Sequence, residues 1–269
     1  MKNVKLIMLD MDGTLFTNDK RITIETMQSL LNAHKLGIKI GIATGRPVFN
    51  VKRTVQAYQL EGVVDYIVGL NGVEVANLIT DCIYYQDQIS CDMSCDVYEK
   101  LKHTDMNMIA YTPECAYARF DEPRVHRLCK HLQLPLQIYD FSSDTKTWNK
   151  LLAMRSYPFT KEECEYLVSI NNERYHGFIT DVDCFEIVNS KVSKSSGIKV
   201  ICEELGITMD EVMAFGDSGN DIDMLKAVGY GVVMANGSNE AKVVAKYETL
   251  SNEEDGIAYF IEKYVGGTL

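Results

Sequence analysis

Short apolar runs that stop abruptly at acidic or hydroxyl-bearing turns, each followed by a helical repeat, most restrict the folds open to this chain. Residues 4–9 end at Asp10-Met11-Asp12-Gly13-Thr14. Ile24, Met27, Leu30 and Leu31 then recur at helical spacing within 23–36, with Gly37 just past the end. Residues 38–43 stop at Thr44-Gly45-Arg46-Pro47, a helix is predicted from about 48 to 60, and 66–70 ends at Asn71-Gly72. Strands without polar alternation are buried on both faces. These runs therefore predict an α/β architecture, a parallel sheet covered by helices.

From about residue 80 the rhythm changes. Segments 78–85, 108–117, 148–155 and 177–188 read as strands and 123–131 and 161–171 as helices, which predicts an α+β unit with a largely antiparallel sheet. The first pattern returns after residue 190, with a helix near 195–205, strands at 211–215 and 229–234, and a helix after Asp221 between them. The simplest organisation is one α/β domain, 1–81 with 187–269, interrupted by a second domain, 82–186. A length of 269 residues fits two ordinary domains of about 150 each.

A formal charge of −11 argues against nucleic-acid or anionic-membrane partners, which select for Lys and Arg. Eight cysteines stand at 82, 91, 95, 115, 129, 164, 184 and 202, seven of them in the insert, and none forms a C-x-x-C pair. Reduced, mostly buried thiols are expected. The apolar run at 4–9 meets Asp10 at once, so it makes no signal-peptide core, and no stretch of 18 apolar residues could span a membrane. A cytoplasmic protein, monomeric by default, with a loose Gly266-Gly267 tail is the expectation.

Ligands of parallel α/β sheets bind outside the carboxyl ends of the strands. Those ends carry Asp10, Asp12, Thr44, Asn71 and Asp217, and a later loop adds Lys194. Carboxylates placed close together demand a cation or raise one another's pKa. The oxygen-rich set Asp10, Asp12, Asp217 and Asp221 suits Mg²⁺.

Asp10-Met11-Asp12-Gly13-Thr14-Leu15, Ala43-Thr44-Gly45-Arg46-Pro47, Lys194 and Gly216-Asp217-Ser218-Gly219-Asn220-Asp221 occur in that order across nearly the whole chain. Together they resemble the haloacid dehalogenase superfamily, in its Cof-type phosphatase branch with a large inserted α/β cap. Asn71-Gly72 and Glu254-Asp255-Gly256-Ile257-Ala258 are similar to that branch as well. The resemblance implies a Rossmann-like core and Mg²⁺-dependent hydrolysis of small phosphorylated metabolites, such as sugar phosphates or phosphorylated cofactors. In that scheme Asp10 is the nucleophile that becomes an aspartyl phosphate, and Asp12 is the general acid and base. The metal is held by Asp10, the Asp12 backbone carbonyl and Asp217, with Asp221 directly or through water. Thr44, Lys194, Asn220 and the Met11 and Gly45 amides cradle the phosphoryl group, and Arg46 either reaches substrate or braces a carboxylate.

Two features of the motif leave choices open. The loop before Lys194 lacks the Pro and Gly common in the family, so Lys191 is a competing cation. A phosphomutase or phosphotransferase of the same superfamily, and a catalytically silent metabolite-binding regulator, are the alternatives to a phosphatase. The insert's place between the second and third motifs predicts a lid that selects the leaving group.

Overall fold

The structure, a computed structural model, describes residues 3–265, so the Gly266-Gly267 tail lies outside the described residues. The chain begins β1 (Leu6–Leu9), α1 (Ile24–Lys35), β2 (Lys39–Ala43), α2 (Val48–Ala57), β3 (Tyr66–Gly69), β4 (Glu74–Asn77) and β5 (Cys82–Tyr85). It continues α3 (Cys91–Leu101), β6 (Asn107–Tyr111), β7 (Ala116–Ala118), α4 (Pro123–Leu132), β8 (Leu136–Ile138), β9 (Leu151–Met154), α5 (Lys161–Ser169), β10 (Tyr175–Asp181) and β11 (Cys184–Asn189). It ends α6 (Lys194–Leu205), β12 (Val212–Gly216), α7 (Ile222–Ala227), β13 (Tyr230–Val233), α8 (Asn239–Val244), β14 (Tyr247–Glu248) and α9 (Gly256–Tyr264). Two compact units result. The first runs to Tyr84 and resumes at Ser193, and the second is Tyr85–Val192.

The first unit is built on an eight-stranded sheet in the order β14-β13-β12-β1-β2-β3-β4-β5. Pairing is parallel from β14 to β3, and β4 runs antiparallel to β3. Strand β1 sits in the middle with all four side chains wholly buried. Alternation along it feeds two cores: Ile7 and Leu9 meet Leu30, Val51 and Phe260 on one face, while Leu6 and Met8 meet Ile198, Ile201 and Met224 on the other. The uniform apolarity of the run is thus explained by helices on both sides.

The turn from β3 into β4 passes through Leu70, Asn71 and Gly72 at φ 48°, 55° and 120°. A Cβ on Gly72 would lie 2.1 Å from the Ser193 carbonyl oxygen, so neither the dihedral nor the space admits a side chain. Because Ser193 caps α6 through its hydroxyl, Gly72→Ala is expected to cost about 2–4 kcal/mol, read as a lowered urea midpoint at unchanged slope.

The second unit carries a six-stranded sheet, β10-β11-β9-β6-β7-β8, antiparallel except between β7 and β8. Its core gathers Val97 and Leu101 of α3, Leu167 of α5 and the sheet residues Met108, Leu151, Ala153, Phe185 and Ile187 around Trp148. The indole Nε1 donates to Asp144, which also accepts from Ser94 and Tyr139, so the buried polar groups are satisfied in place.

The pattern of expected strands needs correction in this unit. Segment 108–117 is a β6–β7 hairpin that turns at 112–115, where Pro113 interrupts the run. Segment 177–188 is the β10–β11 hairpin, because Val182 and Asp183 form its turn. Helix α3 is absent from the sequence expectation, although Met93, Val97 and Leu101 recur every four residues. The units divide at 84/85 and 192/193 rather than at 81/82 and 186/187. Strand β5 belongs to the first sheet and β11 runs on to Asn189 in the second. Cys82 accordingly falls in the first unit, and among the described residues the cysteines are free. No helix of the described residues is long and apolar enough to cross a membrane.

Candidate active site

Three strand ends and one helix start converge in the first unit. The Asp10 amide donates to the Phe215 carbonyl at 3.0 Å, prolonging the β1–β12 ladder and setting Asp10 beside the end of β12. The chain then turns, Leu15 N–H to the Asp10 carbonyl and Phe16 N–H to that of Met11. Gly13, at φ 87°, passes so near Asp217 that a Cβ would lie 2.6 Å from its Oδ2. Thr14 Oγ1 donates to Asp217 Oδ1 at 2.7 Å, and Asn236 Nδ2 donates to the Gly13 carbonyl. The first motif therefore grips the last one through glycine, threonine and backbone.

Lys194 is the first residue of α6, whose N-cap is Ser193. It is wholly buried, and its Nζ donates to Asp10 Oδ1 at 2.5 Å and to Asp221 Oδ1 at 2.6 Å. The second oxygen of Asp221 accepts the backbone N–H groups of Asp217 and Ser218. Carboxylate oxygens of Asp10, Asp217 and Asp221 lie within 4.8 Å of one another. Lys191, the competing cation of the sequence, is exposed, whereas Lys194 is buried against the acids.

Crowding of charge shows in the titration. Burial pushes Asp10 up to about 7, Lys194 pulling it down while Asp221 and Asp217 push it further up. Burial also raises Asp217 to about 6, against the hydrogen bond from Thr14. Lys194 is raised despite its burial because Asp10 and Asp221 face it. Two carboxyls that resist ionisation beside a third acid leave room for positive charge, and their hard oxygens suit a divalent cation such as Mg²⁺.

Asp12 faces elsewhere. Although half-buried, it is held below the usual carboxylate range by hydrogen bonds from Lys20, at 2.7 Å, and from Arg46, whose Nη2 spans both oxygens at 2.9 and 2.7 Å. Arg46 thus braces a carboxylate here rather than standing free for a phosphate. Thr44 is buried at the end of β2, its Oγ1 accepting the Arg46 amide at 3.3 Å. Gly45 lies against the Asn71 side chain, and Asn71 Oδ1 accepts from Asn220 Nδ2 at 3.2 Å. Met11 has a wholly buried side chain, so only its backbone can serve a ligand.

Three partners escape sequence reasoning: Lys20, Thr14 and Asn236. Thr14 lies inside the first motif, and its hydroxyl at the strand end is the available signal. Lys20 and Asn236 lie in loops, where no periodicity marks a side chain's direction.

Comparison with known proteins concerns the chain as a whole. The family model of haloacid dehalogenase-like hydrolases matches residues 7–261. A Bacillus subtilis protein named as a phosphatase, YxeH, is 31% identical, covering 97% of this chain and 98% of its own. The 5-amino-6-(5-phospho-D-ribitylamino)uracil phosphatase YitU of Bacillus subtilis is 28% identical over 96% and 97% of the two chains. Among solved structures, a haloacid dehalogenase-like hydrolase from Bacteroides thetaiotaomicron superposes with a TM-score of 0.79 at 26% identity, covering 97% of this chain and 99% of that one. The HAD subclass IIB sugar phosphatase BT4131 has the same TM-score and identity over 98% and 99%.

Proposed function

This chain belongs to the haloacid dehalogenase-like hydrolases and is a phosphatase of that family, and we propose that it hydrolyses small phosphorylated metabolites through an aspartyl phosphate on Asp10. The observation that carries this reading is the buried contact of Lys194 with Asp10 and Asp221, beside Asp217. It leaves Asp10 Oδ2 without a protein partner among the described residues. That oxygen attacks phosphorus, and the bond to the leaving oxygen breaks as Asp12 supplies it with a proton. Water, giving its proton to Asp12, then attacks the phosphorus and frees Asp10. Arg46 and Lys20 keep Asp12 ionised, the form that accepts the water's proton, and they must release it before it can donate one. Thr44, Lys194, Asn220 and the Met11 and Gly45 amides orient the phosphoryl oxygens.

The donor set fits Mg²⁺, which Asp10, Asp217, Asp221 and the Asp12 backbone carbonyl would hold. When bound it would screen the approach of an anionic nucleophile to an anionic ester. The relatives named for a ribitylaminouracil phosphate and for sugar phosphates support small metabolites as the substrate class.

Release of phosphate from an aryl phosphate tests the reading: it should require Mg²⁺, and turnover persisting in excess chelator would overturn it. Metal affinity should also depend on pH. Asp217 and Asp10 are raised to about 6 and about 7, so both carry protons below that range and a cation must displace them. Calorimetry should find binding more than about tenfold tighter at pH 7.5 than at pH 5.5, with protons released on binding. Without metal the same groups act oppositely on stability. Their raised values favour the folded state below about pH 4, and that contribution is lost as pH rises towards 7.

A further inference from the structure

In the second unit a cavity of about 310 Å³ lies between α4 and the strands β6, β9 and β11. This is within reach of the size that small-molecule sites occupy. Leu151, Ala153, Phe185 and Ile187 point into the unit's core, so Lys150, Leu152 and Glu186 point to the opposite face, where the cavity is. A strand face turned away from its core needs no buried ion pair. Yet Lys150 and Glu186 both have side chains more than nine-tenths buried, with Nζ donating to Oε2 at 2.7 Å. The other carboxylate oxygen, Glu186 Oε1, is buried without any hydrogen-bond partner.

An orphaned acceptor of this kind asks for a donor from outside the protein. The surrounding charges select which. A ligand ammonium would face Lys150, with Arg124 and Arg127 also lining the cavity, and an anion, though those cations would attract it, brings no donor for Glu186 Oε1 and would meet Asp181 as well. A neutral hydroxyl avoids both conflicts, donating to Glu186 Oε1 while accepting from Lys150. The ammonium has three N–H groups, of which one serves Glu186, and it lies 5.7 Å from the centre of the Tyr111 ring. Leu152 supplies an apolar wall for the carbon chain.

We propose that this cavity binds a small neutral polyol, its neighbouring hydroxyls engaging Glu186 Oε1 and Lys150 Nζ. The polyol is a free ligand of the second unit, so the proposal does not rest on the phosphatase reading.

Ribitol and pentane-1,5-diol, which lacks neighbouring hydroxyls, are the probes. Titrated into the full chain and followed by amide NMR, ribitol should shift β9 and β11 resonances and bind about tenfold or more tighter than the diol. The double variant Lys150→Met/Glu186→Leu replaces the pair by apolar groups of similar size, a change that buried pairs tolerate. It should keep its melting temperature and lose the preference. A parallel assay follows aryl phosphate hydrolysis with and without ribitol, and a change in rate that the double variant loses marks the polyol as an effector. No ribitol shifts, or equal binding of ribitol and diol, overturns the site even if the ester is hydrolysed. Ribitol binding without any ester hydrolysis instead upholds the site and faults the phosphatase reading.

Discussion

Asp10→Asn should abolish phosphate release, by about a thousandfold or more, while leaving the protein folded. The amide matches the carboxylate in shape but offers no nucleophilic oxygen, so the covalent route closes. Stability should survive because ionising Asp10 is already unfavourable where it sits, its pKa being driven to about 7 by burial. A neutral side chain removes that penalty, and Lys194 keeps Asp221 as its partner at 2.6 Å. Steady-state release from an aryl phosphate and a urea melt, made on the same preparation, separate the two effects. Activity within tenfold of the parent would sink the aspartyl-phosphate mechanism. Loss of activity with loss of folding would refute the account of Asp10 as a tolerated, strained charge.

Lys194→Met should be damaging in both respects. The lysine is wholly buried and is the cation in direct contact with Asp10 and Asp221, so its removal leaves two carboxylates facing each other inside the protein. Breaking a buried ion pair from one side costs about 3–5 kcal/mol. On the proposed mechanism turnover should fall about a hundredfold or more, since the cation that orients the phosphoryl oxygens goes with it. The deficit in stability should depend on pH in a definite sense. Without the cation the Asp10 pKa moves further above the unfolded value of 3.8, and a raised carboxyl favours the folded state only while protonated. Urea midpoints should therefore separate parent from variant more at pH 8 than at pH 5. Equal midpoints at pH 8 would contradict the electrostatic role. Lys191→Met, at an exposed position, serves as the control and should change neither quantity.

Much of this arrangement is legible in the amino-acid sequence. The runs ending at Asp10, Thr44 and Asp217 place those residues at strand ends because burial on both faces excludes polar side chains until the strand leaves the sheet. The helix read near 195–205 begins within a residue of α6, whose N-cap Ser193 satisfies with its hydroxyl an amide that the helix leaves unpaired. The hairpins of the second unit are less legible. A two-residue turn such as Val182-Asp183 barely interrupts an apolar run.

What the sequence determined alone was therefore the set of chemical groups and the ends of the sheet at which they emerge, since both follow from periodicity over a few residues. Only the tertiary structure decided which charge meets which. Lys194 reaches Asp10 across 184 positions of sequence, while Arg46 and Lys20 take Asp12. In the second unit, Lys150 pairs with Glu186 and leaves one oxygen unmet. Such pairings depend on strand register, helix placement and burial, and no local pattern encodes the distance between two side chains that the fold has yet to bring together.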